Sequence, residues 1–366
     1  MKVFCPSTVQ SSLHFAVIVP VYNTAKYLRE CFDSLLLQTY KNFTVFAVDD
    51  GSIDESAKIL DEYAIKDKRI RVIHKDNGGV SKARNIALDL IEAEGCFDFI
   101  IFLDSDDYWS SNCLETIAKA ATETRADIVA FGIEAFDRNS IIIDPKKRKH
   151  EPIFISNGEA FCLFTFANIK KIPFKNKKIL SIIERSPARS NFIGNIAFRS
   201  SPVLGLRFNV QLRATEDQDF RVHGFTRCTN CVVISDCLYR YRLRSNSLSH
   251  SREFAQSDLL LCLSWLKTIE NLPIIGRIAI EQKTFAIWWK HLELLNKTHS
   301  LENEWDNCRR YLKEMRKLFI SSAFHYPKAL KHIVIFQLGQ LFTIKYFSWR
   351  QAKNKISKKI EHDSYF

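Results

Sequence analysis

The chain has 366 residues, enough for two or three domains, and its hydrophobic fraction of 46% is ordinary for a globular protein. A formal net charge of +12 favours a polyanionic partner, an acidic membrane face or a phosphorylated substrate, yet no zinc-finger, helix-turn-helix or RNA-recognition signature supports nucleic acid. Ten scattered cysteines are typical of a reducing cytosol, and the first thirteen residues lack the apolar core of a secretion signal.

Apolar strands and amphipathic helices alternate through the first hundred residues. Short apolar runs predict strands that are buried on both faces, and apolar residues at three- and four-residue spacing predict the intervening helices. The predicted strands are Phe15–Val21, Thr44–Val48, Ile70–His74 and Phe99–Leu103. Strands that alternate with helices imply a parallel sheet with right-handed crossovers, so the sequence predicts an α/β fold.

Acidic residues follow two of these strands. Asp49 and Asp50 close the second strand, and Asp104, Asp106 and Asp107 follow the fourth. Carboxylates crowded at the carboxyl edge of a sheet repel one another, and a protein keeps them there mainly when a cation neutralises them. The cluster after the fourth strand is therefore a candidate metal site. The alternative is a solvated turn in which an aspartate caps the next helix.

A glycine turn and two cations follow the third strand. The loop Lys75–Ser81 contains paired glycines that let a ligand approach the backbone, and Lys82 and Arg84 lie in the helix that it opens. Together with the acids, this pattern fits a nucleotide diphosphate bound through a divalent ion. The sequence has neither a Walker A loop nor the GxGxxG that follows the first strand of dinucleotide-binding domains.

A cysteine pair offers a different metal site. Cys228 and Cys231, with Cys237 nearby, could supply three zinc ligands. No second CxxC follows at the spacing of a structural zinc site, and the segment continues as a predicted strand, which favours buried thiols instead.

Five motifs carry a resemblance to a known family. They read VPVYN, DSLLLQTY, VDDGSIDES, NGGVSKARN and FLDSDDYW, and they span about residues 14 to 110. In this order and spacing they resemble family 2 glycosyltransferases, which invert the sugar's anomeric configuration. The resemblance implies a GT-A fold, a Rossmann-like and mostly parallel sheet flanked by helices, here with a C-terminal helical extension.

The resemblance implies roles in donor binding for several residues of these motifs. Pro20, Tyr22 and Asp50 would line the nucleotide base, with Asp50 bonded to the uracil edge if the donor is a UDP-sugar. Arg84 would contact the donor or its phosphate, and Lys82 would lie near the diphosphate.

The same resemblance assigns the acids after the fourth strand to metal binding. Asp104 and Asp106 match the DxD motif. Asp106 would be the direct ligand of Mn²⁺ or Mg²⁺, Asp104 would face the ribose or the metal, and Asp107 would be a second ligand.

A second acidic group resembles the acceptor segment of the family. Inverting transfer needs a base that removes the acceptor hydroxyl proton, and Asp217 matches that role, with Glu216 and Asp219 as neighbours that bind acceptor or tune its pKa. The alternative is a set of acids that stabilises the amino end of a helix. Downstream, Arg242 and Arg244 are predicted diphosphate or acceptor contacts, and His250 is a further candidate.

The C-terminal region has a helical pattern and a basic tail. Residues His325–Phe366 contain eight Lys or Arg and two acids among large aromatic residues. Such a segment is typical of a membrane-surface anchor, and the alternative is a helix packed on the catalytic domain with a solvated tail. Its apolar stretch, Ile333–Ile344, is shorter than the roughly 20 residues that a bilayer span needs.

The sequence therefore predicts a tail at 1–13, a catalytic domain at 14–252 that divides near residue 110, and a helical region at 253–366. We expect a metal-dependent enzyme of the hexosyl- or acetylhexosaminyltransferase class, in the cytoplasm or on the inner face of the cell membrane. Its donor is a nucleotide-sugar, and its acceptor is a glycan or a lipid-linked oligosaccharide of a surface polysaccharide such as capsule or lipopolysaccharide. The alternatives are a catalytically silent sugar-nucleotide or glycan-binding protein on the same fold and a basic nucleic-acid-binding protein.

Overall fold

The structure is a computed structural model that describes residues 12–136, 141–142, 151–155, 192–212 and 215–243. Within these residues the strands are β1 (Phe15–Val21), β2 (Phe43–Asp49), β3 (Ile70–His74), β4 (Phe99–Phe102), β5 (Tyr108–Trp109), β6 (Ile128–Phe136), β7 (Ile141–Ile142), β8 (Ile153–Ile155), β9 (Ile196–Arg199) and β10 (Cys231–Arg242). The helices are α1 (Ala25–Leu36), α2 (Ser56–Lys66), α3 (Val80–Glu94), α4 (Cys113–Thr124), α5 (Ser200–Val203) and α6 (Glu216–Arg227).

The first four strands form a parallel sheet in the order β3-β2-β1-β4. Every residue of β1, β2 and β4 is buried, because helices cover the sheet and leave these apolar strands no face in water. Helix α3 packs against β1 and β2. The predicted α/β class is confirmed, and the four strands expected from the sequence are present.

The later strands extend the same sheet beyond β4. Strand β9 lies antiparallel between β4 and β6, and β10 runs parallel to β6 while pairing antiparallel with β5 and β8. The parallel arrangement expected from the resemblance thus holds for the first four strands, and the rest of the sheet is mixed. Register shifts between Val233 and Tyr239 mark an irregularity in β10, of the kind that bends a strand and increases its twist. Beyond it, Tyr239 pairs with Trp109 beside the DxD turn.

Several sequence predictions fall outside the described residues. These are the first part of the N-terminal tail, Arg244, His250 and the whole region 253–366 with its basic tail. In the part of the chain that the structure describes, no helix has the length and apolar character required to cross a bilayer.

Candidate active site

The predicted donor residues lie at the carboxyl edge of the parallel strands. The backbone N–H of Asp50, just after β2, donates to the carbonyl of Val21 in β1 at 2.8 Å, so the two chain segments leave the sheet side by side. Pro20 is buried in β1, and Tyr22, one residue past the strand, is 49% exposed. Ligands of open α/β sheets bind at this edge, so the position of Tyr22 suits contact with a ligand.

Asp50 is almost completely buried and holds the glycine loop in place. Its Oδ1 accepts hydrogen bonds from the Lys75 ammonium and from the Gly78 N–H at 2.9 Å, and its Oδ2 accepts one from the Gly79 N–H at 2.7 Å. Gly51 has φ +73°, and a Cβ there would lie 2.7 Å from a backbone nitrogen of the same loop. Three donors occupy the four lone-pair positions of the Asp50 carboxylate, which leaves one position on Oδ2 for a ligand N–H. The predicted contact with a nucleotide base stays a prediction.

Asp107, in contrast, fixes the DxD turn to β10. It is 2% exposed, and its Oδ2 accepts the Tyr239 hydroxyl at 2.7 Å while its Oδ1 accepts the Arg242 N–H at 2.7 Å. The same Tyr239 oxygen accepts the N–H of Asp104 at 3.2 Å. Burial, followed by the charges of Asp106 and Asp104, holds the pKa of Asp107 well above its usual range. Since both oxygens of Asp107 already accept hydrogen bonds, this residue has a structural role: it holds the DxD turn against β10. Its role as a metal ligand stays a prediction.

Asp104 and Asp106 have the chemistry that a divalent cation requires. The side chain of Asp104 is 28% exposed and Asp106 is partly exposed, and carboxylate oxygens are the preferred donors of Mg²⁺ and Mn²⁺. Both carboxylates lie on the short turn between β4 and β5, close enough in the chain to bind one ion together. These residues fit a divalent ion, which Asp106 and Asp104 would hold. Among the described residues, no three His, Cys, Asp or Glu side chains already converge in the geometry of a metal site.

Arg84 joins the DxD turn to the predicted acceptor segment. One terminal nitrogen, Nη2, donates to Asp104 Oδ1 at 3.0 Å, and the other, Nη1, donates to Asp217 Oδ1 at 2.6 Å and to Glu216 Oε1 at 3.2 Å. The Arg84 side chain is only 3% exposed, and its guanidinium carbon lies 5.0 Å from the centre of the Phe208 ring. The structure thus brings together candidate donor and acceptor residues that are far apart in the sequence.

The predicted acceptor acids lie in the first turn of α6, as the sequence indicates. Burial is the largest influence on both acids that face Arg84, and it raises the pKa of Asp217 and raises the pKa of Glu216 to about 8. Asp217 lies closer to the guanidinium than Glu216 does, 2.6 Å against 3.2 Å, so the negative charge is favoured on Asp217. Asp219 is buried at 3% exposure and faces His223 at 3.5 Å.

The remaining predicted contacts have different surroundings. Lys82 is exposed on α3, and Arg242 donates from Nε to the Asp106 carbonyl at 2.9 Å and forms an ion pair with Glu30. The phosphate contacts predicted for both residues stay predictions. For the cysteine pair, burial raises the pKa of Cys228 to about 12, which favours the thiol over the metal-binding thiolate.

Two residues of the site were not identified from the sequence. Lys75 lies in the loop that the glycine pair marked, so its position was a usable signal. Tyr239 contacts Asp107 across 132 positions of the sequence, and no local pattern connects the two.

The solved structures that this fold resembles include two glycosyltransferases. The 1-349 fragment of TarS from Staphylococcus aureus, in complex with UDP-GlcNAc, matches with a TM-score of 0.58 and 22% identity over 83% of this chain and 80% of that one. The mannosyltransferase PcManGT from Pyrobaculum calidifontis, in complex with GDP-Man and Mn²⁺, matches with a TM-score of 0.50 and 15% identity over 83% of this chain and 86% of that one. The fold is therefore that of the GT-A glycosyltransferases.

Sequence comparison identifies the family. The model for glycosyl transferase family 2 matches residues 16–183. The glycosyltransferase GlyG of Streptococcus pneumoniae serotype 4 is 30% identical over 272 residues, which cover 69% of this chain and 76% of GlyG. TarS, a poly(ribitol-phosphate) beta-N-acetylglucosaminyltransferase of Staphylococcus aureus, is 27% identical over 232 residues, 63% of this chain and 35% of TarS. The chain belongs to glycosyltransferase family 2 and is an enzyme of that class, as the motifs predicted.

Proposed function

We propose that this glycosyltransferase moves a sugar from a UDP-sugar to a hydroxyl of a glycan or lipid-linked acceptor, by an inverting single displacement, in surface polysaccharide biosynthesis. The observation that carries the proposal is the meeting of Asp104 and Asp217 on one guanidinium, at 3.0 Å and 2.6 Å. This supports one site for the carboxylates proposed to act on the donor and on the acceptor. UDP-GlcNAc in the TarS complex supports the donor class.

Asp217 is the proposed general base. It would accept the proton of the acceptor hydroxyl while that oxygen bonds to the anomeric carbon and the bond from this carbon to the diphosphate breaks. Attack opposite the departing diphosphate inverts the configuration of the anomeric carbon. Because Arg84 favours the ionised form of Asp217, this carboxylate can take up the proton that the reaction releases.

Asp106 and Asp104 are the proposed ligands of a divalent cation. Bound there, the ion would screen the diphosphate and stabilise the negative charge of the leaving group. The Mn²⁺ in the PcManGT complex supports a divalent ion in this fold. Tyr22 and Asp50 would bind the base, the Asp50 carboxylate accepting one base N–H through the lone pair left on Oδ2.

Two observations bear on the acceptor and on the place of action. TarS is named as a poly(ribitol-phosphate) beta-N-acetylglucosaminyltransferase, and this supports a polymer that carries hydroxyl groups as the acceptor. The eight Lys or Arg near the C-terminus support attachment to the inner face of the cell membrane, from the sequence alone.

Calorimetric titration tests the donor and the metal together. UDP, GDP, dTDP and CMP are each added with Mn²⁺ and with EDTA, to the wild type, to Asp106→Asn and to the control Asp236→Asn, which changes an exposed aspartate of β10. We expect UDP to bind only with Mn²⁺, and Asp106→Asn alone to weaken this binding at least about tenfold. UDP binding that survives both EDTA and Asp106→Asn would refute the metal assignment. Release of UDP from a UDP-sugar then separates a transferase from a silent binding protein.

A further inference from the structure

Arg84 has surroundings that do not suit a phosphate ligand. Three carboxyl groups already accept hydrogen bonds from its two terminal nitrogens, and its side chain is only 3% exposed. A phosphate oxygen would therefore have to compete with these acceptors for the guanidinium. The donor contact implied by the family resemblance therefore has no support in the geometry.

The guanidinium is instead fixed from several sides. Its planar fork presents two nitrogens to the carboxylates, and the Phe208 ring lies 5.0 Å from its carbon. Phe208 is itself tied to α3 through Asn85, whose amide donates to the Phe208 carbonyl at 2.9 Å and accepts its N–H at 2.7 Å. Arg84 thus has a rigid support on the helix that carries it.

The carboxylates around Arg84 differ in how far they reach solvent. The side chain of Asp217 is 18% exposed and that of Asp104 is 28% exposed, against 11% for Glu216. Asp217 and Asp104 can therefore contact substrate or metal on their exposed side, while Arg84 bonds to them on their buried side. The shortest contact of the three is the one to Asp217, at 2.6 Å.

We propose that Arg84 is a positioning residue, which orients the Asp217 carboxylate for proton transfer and fixes its place relative to the donor-side Asp104. This inference rests on the proposed function, since it assumes that Asp217 is the base. Arg84 acts through Asp217 and touches neither the sugar nor the diphosphate. A lysine at this position keeps the charge but lacks the fork that bonds two sides at once.

A double-mutant cycle tests the proposal. Single-turnover release of radiolabelled UDP is measured with UDP-glucose, UDP-galactose and UDP-N-acetylglucosamine, and the fastest donor is used for wild type, Arg84→Lys, Asp217→Asn and the double variant. We expect Arg84→Lys to lower the rate by about tenfold or more alone, but by less than about twofold when Asp217 is already Asn. The Kd for UDP with Mn²⁺ should stay within about threefold of the wild type.

A matched control separates this role from a general loss of an arginine. Arg69 also bonds a carboxylate through two nitrogens, from Nε to Asp67 Oδ1 at 3.0 Å and from Nη2 to Asp67 Oδ2 at 2.6 Å, and it directly precedes β3, at the edge of the sheet opposite to the site. Arg69→Lys should leave the rate and the UDP affinity unchanged. Equal rate losses from Arg84→Lys in both backgrounds, or a fall in UDP affinity that matches the fall in rate, would overturn the proposal and restore a phosphate contact.

A second variant applies if Arg84→Lys does not fold, as judged by circular dichroism. Phe208→Met removes the ring beside the guanidinium but keeps every charged group, and we expect a lower rate with unchanged UDP affinity. An unchanged rate in folded Phe208→Met would contradict the proposal. Failure of the proposed function gives a different result, because the wild type itself would then neither bind UDP nor release it.

Discussion

Two strand ends of the same sheet carry aspartates, and the protein neutralises them in different ways. After β2, Asp50 bonds to Lys75 and to two glycine N–H groups, all within 29 positions of the sequence. After β4, Asp104 bonds to Arg84, and Asp107 bonds to Tyr239 and Arg242, which lie 132 and 135 positions away. The partners of Asp50 all lie in the loop after β3. The partners of Asp107 come from β10, so they reach it only when the later part of the sheet has formed.

This difference separates a scaffold from a candidate reaction site. The acids after β2 have their partners in an adjacent loop, so they can order the glycine loop without any ligand. Those after β4 draw their partners from β10 and α3, and Asp104 shares Arg84 with the acids of α6. Asp104 and Asp106 also remain partly exposed, which is what contact with a cation requires.

The largest effect should come from Asp217, the α6 acid that shares Arg84 with Asp104 after β4. Asp217→Asn removes the proposed base while keeping the size of the side chain, and we expect the transfer rate to fall by roughly 10²- to 10⁴-fold. Binding of UDP with Mn²⁺ should persist, measured by calorimetry. A variant with wild-type turnover would assign proton removal to another group, and Asp236→Asn is the matched control for a lost carboxylate.

The β2 side should instead respond in stability. Gly51→Ala places a Cβ 2.7 Å from a backbone nitrogen at φ +73°, so the loop must move, and we expect a loss of about 3 kcal/mol in the free energy of unfolding. Gly79→Ala is the matched control. Its φ is +90° but nothing lies within 4 Å of the added carbon, so its loss should be smaller. Urea denaturation of both variants measures the difference, and equal losses would contradict the steric argument.

Tyr239→Phe tests the long-range completion of the β4 site. It removes the hydroxyl that donates to Asp107 at 2.7 Å and leaves a buried carboxylate with one partner fewer. We expect a loss of about 1 to 3 kcal/mol in the free energy of unfolding, measured by urea denaturation. If the hydroxyl matters only for the fold, UDP affinity will not change; weaker binding of UDP with Mn²⁺ would show that it also shapes the metal site.

The smallest effect should come from His74, the last residue of β3, which bonds to Asp49 of β2. Its bond to Asp49, at 2.9 Å, raises its pKa above 6.5. The resulting stabilisation is present below pH 6.5 and is lost as the pH rises through the raised pKa. Because the side chain is 44% exposed, we expect His74→Asn to cost less than about 1 kcal/mol at pH 6 and nothing at pH 9, in thermal unfolding. A larger loss at pH 9 would contradict the assignment.

Local pattern predicted the first part of the chain well. The strands expected at Phe15–Val21 and Ile70–His74 occupy those residues, and amphipathic helices lie between them, at Ala25–Leu36 and Ser56–Lys66. These elements repeat their apolar residues at the period of a strand or a helix, so burial and local geometry agree. The family was also predictable, because four of its five motifs lie at or directly after strand ends, where binding residues concentrate.

The sequence by itself predicted which residues are candidates for the chemistry, namely the DxD acids, the acids of α6 and the arginine of the fourth motif. Only the tertiary structure decided how these groups are shared. Asp107 is buried and bonded because β10 places Tyr239 and Arg242 beside the DxD turn. Arg84 bonds three carboxylates because the first turn of α6 lies beside α3 and the DxD turn. Pairing across more than a hundred residues depends on sheet order and packing, which no local period records.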